Sequence, residues 1–276
     1  MGLGTRLGPM RIARFAKAGQ DPTYGIIELA VDGGDHPDTI AALTSDPLAG
    51  VAVNYTGERH DLDDVRLLAP VIPRSKVIGV GRNYAAHAAE LGNEVPETPL
   101  LFFKPNTSVI GPNDPILIPE GAEEVHFEGE LAVVIGRICK QVPVERVPEV
   151  IFGYTIANDV SCRNWQNNDG QWARAKGSDT FCPVGPWINT HLTPDEAGRL
   201  SLQTHVNGEL KQDSTTAHMI RGVAELVSYI SAFTTLLPGD LILTGTPEGV
   251  GQINAGDEVS IEIDGLGALV NPVDNA

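Results

Sequence analysis

The sequence predicts a mainly β protein with some α-helix. Many short apolar runs are rich in β-branched residues, turn residues separate these runs, and few segments show helical spacing. A chain of 276 residues has room for one large domain and a smaller one. We expect a small β-rich N-terminal domain over residues 1–70, with a frayed extension over 1–9, and a larger domain over 71–276. Two prolines within residues 65–73 mark the boundary.

In the N-terminal domain we expect strands over Arg11–Phe15 and Gly25–Leu29, and then a turn-rich acidic segment over Asp32–Pro37. Asp38–Leu43 is expected to form a short helix. This part of the chain offers few chemical groups, so the functional residues are expected in the larger domain.

The larger domain alternates apolar runs with turns. The runs expected as strands cover residues 76–81, 100–104, 125–136, 151–158, 202–207 and 256–263, and a further strand from Leu241 enters a glycine-rich loop that ends at Gly251. Alanines favour a short helix that Gly92 closes, and Met219–Thr235 has helical spacing. Asn207-Gly208 predicts a hairpin turn. The polar residues after Asp159 predict a long irregular loop.

The charge and the cysteines limit the class of protein. A net charge of −17 and a pI near 4.7 argue against nucleic acid or an anionic membrane surface as a partner. The N-terminus lacks an apolar signal region, and no apolar run approaches transmembrane length. Cys139, Cys162 and Cys182 form no paired pattern, which indicates free thiols in a reducing compartment. We therefore expect a cytoplasmic protein.

Two glutamates stand at alternate positions of one predicted strand. Glu128 and Glu130 then share a face, and the next strand delivers Asp159 at its end. Neighbouring carboxylates repel each other unless a cation lies between them, so the three predict a site for Mg²⁺ or Mn²⁺, with Ca²⁺ as an alternative. A solvated strand face is the competing interpretation. His126 is a weaker ligand candidate, because hard cations prefer oxygen.

A histidine and a glutamate form a second candidate group. His87 and Glu90 are three residues apart on the predicted helix, a spacing at which a carboxylate can orient an imidazole that acts as a general base. An ordinary surface contact is the alternative. Lys104, at the end of a predicted strand, either faces an anionic ligand or marks the edge of the sheet.

Polar groups suited to an acidic substrate follow in two loops. Arg163, Gln166 and Lys176 offer a guanidinium, an amide and an ammonium to carboxylate and oxo groups, or they form a solvated loop. The glycine-rich loop lacks the lysine of a phosphate-binding loop. Its backbone N–H groups at Gly245 and Thr246 are candidates for binding a substrate carboxylate.

In this order and spacing, the motifs resemble those of the fumarylacetoacetate hydrolase family, whose members cleave, decarboxylate or isomerise 2-oxo acids with a divalent metal. The resemblance covers roughly residues 71–276. It is carried by Gly81-Arg82-Asn83-Tyr84 with His87 and Glu90, Phe103-Lys104-Pro105, Glu128-Gly129-Glu130-Leu131, Asn158-Asp159, Arg174-Ala175-Lys176-Gly177, Asp179-Thr180-Phe181 and Thr244-Gly245-Thr246-Pro247.

The resemblance implies a mixed β-roll or β-sandwich with few helices, usually as a homodimer. The implied roles are metal binding by Glu128, Glu130 and Asp159, catalysis by His87, Glu90 and Lys176, and substrate binding by Arg82, Tyr84, Arg163, Gln166, Gly245 and Thr246. One position departs from the pattern. The namesake enzymes carry a further metal-binding aspartate seven residues before the catalytic histidine, where this chain has Val80. This difference favours the smaller members, which act on acylpyruvates, oxaloacetate or related diacids.

The expected substrate is a small 2-oxo or 2-hydroxy-dienoic diacid, converted through an enolate that a chelated metal and Lys176 stabilise. Water attack at a C4 carbonyl hydrolyses an acylpyruvate, and loss of CO₂ decarboxylates oxaloacetate. We expect one of these two reactions. Transfer of a proton alone, as in a 2-hydroxyhepta-2,4-diene-1,7-dioate isomerase, is the alternative. A non-catalytic, metal-stabilised binding protein is the alternative of another class.

Overall fold

The computed structural model of the protein describes residues 10–30 and 37–276. The expected extension over residues 1–9 and nearly all of the acidic segment 32–37 lie outside the described residues. The strands of the described chain are β1 (Arg11–Ala16), β2 (Thr23–Glu28), β3 (Thr39–Leu43), β4 (Tyr55–Asp61), β5 (Arg66–Leu68), β6 (Val77–Gly81), β7 (Leu100–Lys104), β8 (Val109–Ile110), β9 (Ile116–Ile118), β10 (Val125–Phe127), β11 (Gly129–Ile135), β12 (Ile151–Asn158), β13 (Ser161–Cys162), β14 (Cys182–Asn189), β15 (Ser201–Val206), β16 (Glu209–Thr215), β17 (Leu241–Leu243), β18 (Gly251–Gln252), β19 (Glu258–Ile263) and β20 (Gly267–Asn275).

The helices are few and short. The α-helices are α1 (Ala85–Glu90), α2 (Arg163–Asn168), α3 (Ala173–Gly177), α4 (Pro194–Ala197) and α5 (Val223–Phe233), and 3₁₀ turns cover Leu62–Asp64, Asn106–Ser108, Val144–Glu149 and Thr216–His218. The predicted class, mainly β with some α-helix, is therefore confirmed. No helix in residues 10–30 or 37–276 combines the length and the apolar character that a membrane span requires.

The strands of the described residues form three sheets. The largest has the strand order β4-β3-β2-β1-β14-β12-β11-β17-β6-β7, with β5 paired to β1 and β8 paired to β14. A five-stranded sheet has the order β16-β15-β19-β20-β9, and a three-stranded sheet has the order β13-β10-β18. The N-terminal strands continue the large sheet, because β1 pairs antiparallel with β14, Arg11 opposite Asn189 and Ile12 opposite Ile188.

Strand β11 lies at the centre of the large sheet, and it is buried along its whole length. Leu131, Val133 and Ile135 pack into one apolar cluster, whereas Ala132 and Val134 pack into another. The absence of alternation in this run is thus explained by cores on both faces of the strand. A strand held on both faces is a rigid support for the polar groups at its start.

Three local predictions are wrong. Residues 39–43, expected as a helix, form β3, since pairing with β2 and β4 buries Ile40 through Leu43. The loop after Asp159 is not irregular throughout, because it contains α2 and α3. Helix α5 starts at Val223 rather than Met219, because Met219 forms a β-bridge with Tyr84. The hairpin at Asn207-Gly208 is confirmed by the antiparallel pairing of β15 with β16.

Candidate active site

Three buried carboxylates meet where β11 begins and β12 ends. These strands are antiparallel neighbours with Gly129 opposite Asn158, so the residues before Gly129 and after Asn158 are adjacent. Glu128, Glu130 and Asp159 each offer a carboxylate oxygen, and these oxygens lie within 4.8 Å of one another. The three side chains are 4%, 1% and 1% exposed, which rules out the solvated strand face.

The predicted single strand over residues 125–136 is interrupted at Glu128, between β10 and β11. The Glu128 N–H donates to Asn158 Oδ1 at 2.9 Å, and the Asp159 N–H donates to the Glu128 carbonyl at 2.9 Å. Position 129 requires a glycine, because a Cβ there would lie 2.5 Å from Thr204 Oγ1. The strand is therefore interrupted at the first of the two glutamates, and both carboxylates still belong to the same triad.

Three cations neutralise two of the carboxylates. Arg163 Nη2 lies 2.7 Å from Glu128 Oε1, and Lys176 Nζ lies 2.7 Å from Glu128 Oε2 and 2.8 Å from Asp159 Oδ2. The buried Lys104 Nζ lies 2.5 Å from Asp159 Oδ1. In the described chain, no lysine or arginine forms an ion pair with Glu130, whose Oε2 accepts the Gly245 N–H at 2.6 Å.

The ionisation of these groups follows from their partners. Burial opposes the charge on Glu128, but Lys176 and Arg163 outweigh it and hold the pKa of Glu128 below its usual range. Burial, followed by the charges of Asp159 and Glu128, raises the pKa of Glu130 well above its usual range. Burial also opposes the charge on Lys176, yet Asp159 and Glu128 raise its pKa. Glu130 is thus the carboxylate whose charge lacks a counter-ion.

The donor set fits a hard divalent cation. It consists of carboxylate oxygens from three residues, with Glu130 poorly compensated by the protein itself. Mg²⁺ and Mn²⁺ prefer oxygen ligands, and a small number of carboxylates with water completes their coordination. His126 is not part of this group, because its Nε2 lies 3.1 Å from Glu124 Oε1, outside the carboxylate triad.

A cavity of about 400 Å³ opens onto the carboxylates. Its lining combines charged, amide and aromatic side chains with a few apolar ones. The lining residues are Val80, Gly81, Arg82, His87, Ala88, Leu91, Asn93, Phe102, Glu124, His126, Glu128, Glu130, Asp159, Arg163, Gln166, Asn167, Trp172, Lys176 and Thr246. Most of the predicted site residues, which come from five separate regions of the chain, therefore share one cavity.

Of the predicted histidine–glutamate pair, His87 lines this cavity and Glu90 is not among the lining residues. His87 is 5% exposed, and its Nδ1 lies 3.4 Å from Glu90 Oε2. The same glutamate accepts the Gly249 N–H, at 3.0 Å to Oε1 and 3.3 Å to Oε2. The glycine-rich loop thus holds the carboxylate that orients the imidazole.

Two residues that were predicted to contact the substrate, Tyr84 and Gly245, do not line the cavity. Tyr84 is buried, and its hydroxyl has no hydrogen-bond partner among the described residues. Burial raises the pKa of this hydroxyl, so it stays a neutral phenol. Gly245 does not line the cavity either, and its N–H donates to Glu130 and is therefore not available to a substrate carboxylate.

Sequence reasoning missed two features of the site. The sequence does not decide whether Lys104 marks a sheet edge or faces an anionic ligand, whereas in the structure it is the buried partner of Asp159. Phe102 and Trp172 line the cavity as an edge-to-face pair with ring centroids 5.5 Å apart. The motif Phe103-Lys104-Pro105 was the available signal for the lysine. The pairing of Phe102 with Trp172 leaves no local signal in the sequence.

Comparisons with known proteins identify enzymes to which this chain is similar. The structure resembles that of 5-carboxymethyl-2-hydroxymuconate delta-isomerase from Mycobacterium smegmatis, with a TM-score of 0.86 and 51% identity over 97% of this chain and 100% of that one. Maleylpyruvate hydrolase from Sphingobium sp. SYK-6, solved with manganese(II) and pyruvate, gives a TM-score of 0.76 and 32% identity over 97% and 100% of the two chains. Mitochondrial oxaloacetate tautomerase fahd2 of Xenopus laevis is 44% identical over 76% of this chain and 69% of its own length.

Two family models divide the chain between them. Residues 10–70 match the family described as Rv2993c-like, N-terminal. Residues 76–274 match the family described as fumarylacetoacetate (FAA) hydrolase C-terminal, over the part of the chain that holds all three carboxylates. The chain therefore belongs to the fumarylacetoacetate hydrolase family.

Proposed function

We propose that this protein is a divalent-metal-dependent enzyme that moves a proton next to the carbonyl of a small 2-oxo acid, as a tautomerase or isomerase. One observation carries the proposal: the carboxylate triad and His87, whose Nδ1 faces Glu90, line the same small cavity. Relatives at 44% and 51% identity that are named as a tautomerase and an isomerase support proton transfer over bond cleavage.

Glu128, Glu130 and Asp159 would hold Mg²⁺ or Mn²⁺. When bound, such an ion polarises the 2-oxo group and stabilises negative charge on its oxygen. Thr246 is suited to bind the substrate, because its Oγ1 accepts a hydrogen bond from Gln212 Nε2 at 2.8 Å and its own O–H remains available to donate. Gln166, whose Oε1 accepts from Arg163 Nη1 at 2.8 Å, has its amide N–H₂ available in the same way.

His87 is the group suited to carry the proton. Its Nδ1 faces Glu90, so Nε2 is the nitrogen available to the cavity. A neutral imidazole held in this way accepts a proton from the carbon beside the 2-oxo group and returns it to another atom of the substrate. The glutamate stabilises the imidazolium that forms in between.

A second candidate is the hydrolysis of an acylpyruvate, with His87 and Glu90 activating water instead of moving a substrate proton. The structural similarity to a maleylpyruvate hydrolase with bound manganese and pyruvate supports it. Decarboxylation of oxaloacetate is the other cleavage reaction of this second candidate, and it needs no water. We also infer that the active form is a homodimer in the cytoplasm, and light scattering of the purified protein tests the dimer.

The test uses metal-stripped protein with and without added Mn²⁺ or Mg²⁺. The substrates are enol oxaloacetate, 2-hydroxyhepta-2,4-diene-1,7-dioate and acetylpyruvate. Loss of enol or diene absorbance reports proton transfer, whereas pyruvate release reports cleavage of acetylpyruvate or decarboxylation of oxaloacetate. We expect metal-dependent absorbance loss without pyruvate release. Stoichiometric pyruvate would favour the second candidate instead.

Variants separate the roles of the residues. Glu128→Ala is expected to abolish metal-dependent turnover, and His87→Gln to lower kcat by about 10²- to 10⁴-fold while metal binding persists. The exposed His218, whose Nδ1 lies within hydrogen-bond distance of Ser214 Oγ, provides the matched control His218→Gln. Metal binding without turnover of any substrate would contradict the proposal and favour the non-catalytic binding protein.

A further inference from the structure

We infer that Gln212 is a positioning residue of the site, because its side-chain amide turns the Thr246 hydroxyl into a hydrogen-bond donor towards the substrate. The inference rests on the proposed function and adds to it a residue of the five-stranded sheet that does not line the cavity. Thr246 would touch the substrate, whereas Gln212 would act only through Thr246.

The Gln212 amide joins the two segments that form the site. Gln212 belongs to β16 and is fully buried. Its Oε1 accepts the Gly129 N–H at 3.1 Å and the Thr204 hydroxyl at 2.7 Å. Its Nε2 donates to Thr246 Oγ1 at 2.8 Å and to the Pro247 carbonyl at 3.0 Å. One amide thus connects the strand of the carboxylate triad to the loop that contains Thr246.

Two backbone groups fix the orientation of this amide. The Gly129 N–H can only donate, so the amide oxygen must face it. The Pro247 carbonyl can only accept, so the amide nitrogen must face that group. A reversed amide would leave both buried backbone groups without a partner, which is costly. The nitrogen, rather than the oxygen, therefore faces Thr246 Oγ1.

This orientation decides what the Thr246 hydroxyl can do. Because the oxygen accepts from Gln212, the single proton of the hydroxyl must point in another direction. In the described part of the chain, no group accepts that proton, and Thr246 lines the cavity although it is only 2% exposed. The hydroxyl therefore donates to an acceptor on the ligand, such as a carboxylate or oxo oxygen, and selects against a ligand group that donates.

The loop on either side of Thr246 is held in place by backbone contacts. The Gly245 N–H donates to Glu130 Oε2 at 2.6 Å, which fixes the start of the loop at the triad. Gly249 packs so closely on β16 that a Cβ there would lie 2.2 Å from the Lys211 carbonyl oxygen. These contacts limit how far Thr246 can move away from the amide.

The experiment measures binding of pyruvate, the simplest 2-oxo acid, to the Mn²⁺-loaded full chain by isothermal titration. The main variant is Gln212→Glu, which keeps the size of the side chain and the oxygen that faces Gly129 but replaces the amide donor by an acceptor. The Thr246 hydroxyl would then donate to the new carboxylate instead of the ligand. Gln212→Met, which has neither an amide nor a charge, is the second variant and replaces Gln212→Glu in every comparison if that protein does not fold.

The matched control is Thr204→Val. It removes the other side-chain hydrogen bond of the same amide at an equally buried position and leaves the contact between Gln212 and Thr246 in place. A double-mutant cycle with Thr246→Val separates positioning from a general loss of structure. The two losses overlap only if Gln212 acts through the Thr246 hydroxyl.

We expect Gln212→Glu and Thr246→Val each to weaken pyruvate binding by about 10- to 100-fold, as for a lost hydrogen bond to a charged group, while Mn²⁺ is still bound. Gln212→Met should give a smaller loss, because its Thr246 hydroxyl is free to rotate. The double variant should bind pyruvate as weakly as Thr246→Val alone, and Thr204→Val should bind it like the wild type.

Additive losses in the double variant would overturn the inference, and so would wild-type binding in Gln212→Glu or an equal loss in Thr204→Val. A wild-type protein that does not bind pyruvate would overturn it as well. Failure of the proposed function appears separately, as an absence of turnover in a protein whose pyruvate binding follows the expected pattern.

Discussion

Glu130 differs from the other two carboxylates of the triad, because no lysine or arginine of the described chain pairs with it. Because the pKa of Glu130 is raised, folding of the metal-free protein must either protonate this carboxylate or bury its charge beside Asp159 and Glu128, and glutamine removes that cost. We expect Glu130→Gln to stabilise the metal-free protein by about 1–3 kcal/mol. The same change should lower the affinity for Mn²⁺ by more than about 100-fold, because a ligand is lost.

Thermal unfolding of the metal-free protein and titration with Mn²⁺ measure the two effects. Glu262→Gln, an exposed glutamate on β19, is the matched control and should change neither quantity. A Glu130→Gln protein that is less stable than the wild type would contradict the prediction, because it would show that the Glu130 carboxylate is stabilised in the metal-free protein.

The thiols give a second prediction at this scale. Burial raises the pKa of Cys182 to about 12, and Cys162 is fully buried as well, whereas Cys139 is partly exposed with a more moderate rise in its pKa. A raised pKa means less thiolate at pH 8, so we expect Ellman's reagent to label one thiol of the native protein slowly, and faster towards pH 10. Cys139→Ser should remove this labelling, and labelling of Cys182 in the native protein would contradict the burial described.

The residues of the triad could be predicted from the sequence, whereas their counter-ions could not. Alternating carboxylates at the start of an apolar strand repel each other, and this repulsion predicts a cation bound between them. Lys104 has the same local signature whether it ends an edge strand or lies in the core. What decides its burial is the approach of Asp159, 55 residues away, and no local pattern contains that information.

At the scale of elements, the glycine-rich loop after β17 connects the site to the five-stranded sheet. Gly249 donates its N–H to Glu90, has a φ of 91°, and leaves no room for a side chain, since a Cβ would lie 2.2 Å from the Lys211 carbonyl oxygen. We expect Gly249→Ala to destabilise the protein by about 3 kcal/mol. It should also lower kcat through displacement of Glu90.

Gly256 provides the control for backbone strain alone. Its φ is 96°, and a Cβ there would meet nothing within 4 Å. Gly256→Ala is therefore expected to cost about 1 kcal/mol and to leave turnover unchanged. Denaturant unfolding and steady-state kinetics compare the two variants, and equal kcat values in both would show that the loop does not position Glu90.

The sequence predicts strands and helices well where their residue pattern is long, and poorly where it is short. The apolar run before Asp159 and the hairpin at Asn207-Gly208 carry their signals locally, in β-branched residues and in turn chemistry. Residues 39–43 are too few to show a period, and their pairing partners β2 and β4 decide that they form a strand. Helices α2 and α3 are short and polar, so no apolar period predicts them, and their Arg163 and Lys176 form ion pairs with the distant Glu128.

At the scale of the whole molecule, the N-terminal strands and the site share one sheet. Phe15 and Ile27 pack in one cluster with Trp187 of β14, and β14 pairs with β12, which delivers Asp159. We expect a single cooperative unfolding transition for the full chain, and a fragment of residues 71–276 that is less stable and less soluble because β14 loses its neighbour β1. Two separate calorimetric transitions would instead support independent domains over 1–70 and 71–276.

The three cations around the triad have a consequence for how the protein is made. Lys104, Arg163 and Lys176 already supply counter-charges to Glu128 and Asp159, which leaves Glu130 as the one carboxylate of the triad without a counter-ion. We therefore expect the chain to fold without an ion, and the ion to bind to and leave the folded protein. EDTA should abolish turnover while circular dichroism at 25 °C stays unchanged, and the loss of thermal stability should equal the binding linkage alone, about 2.7 kcal/mol for an ion present at 100 times its Kd. A cell short of metal would accumulate this protein as a folded reserve, ready for use when the supply returns.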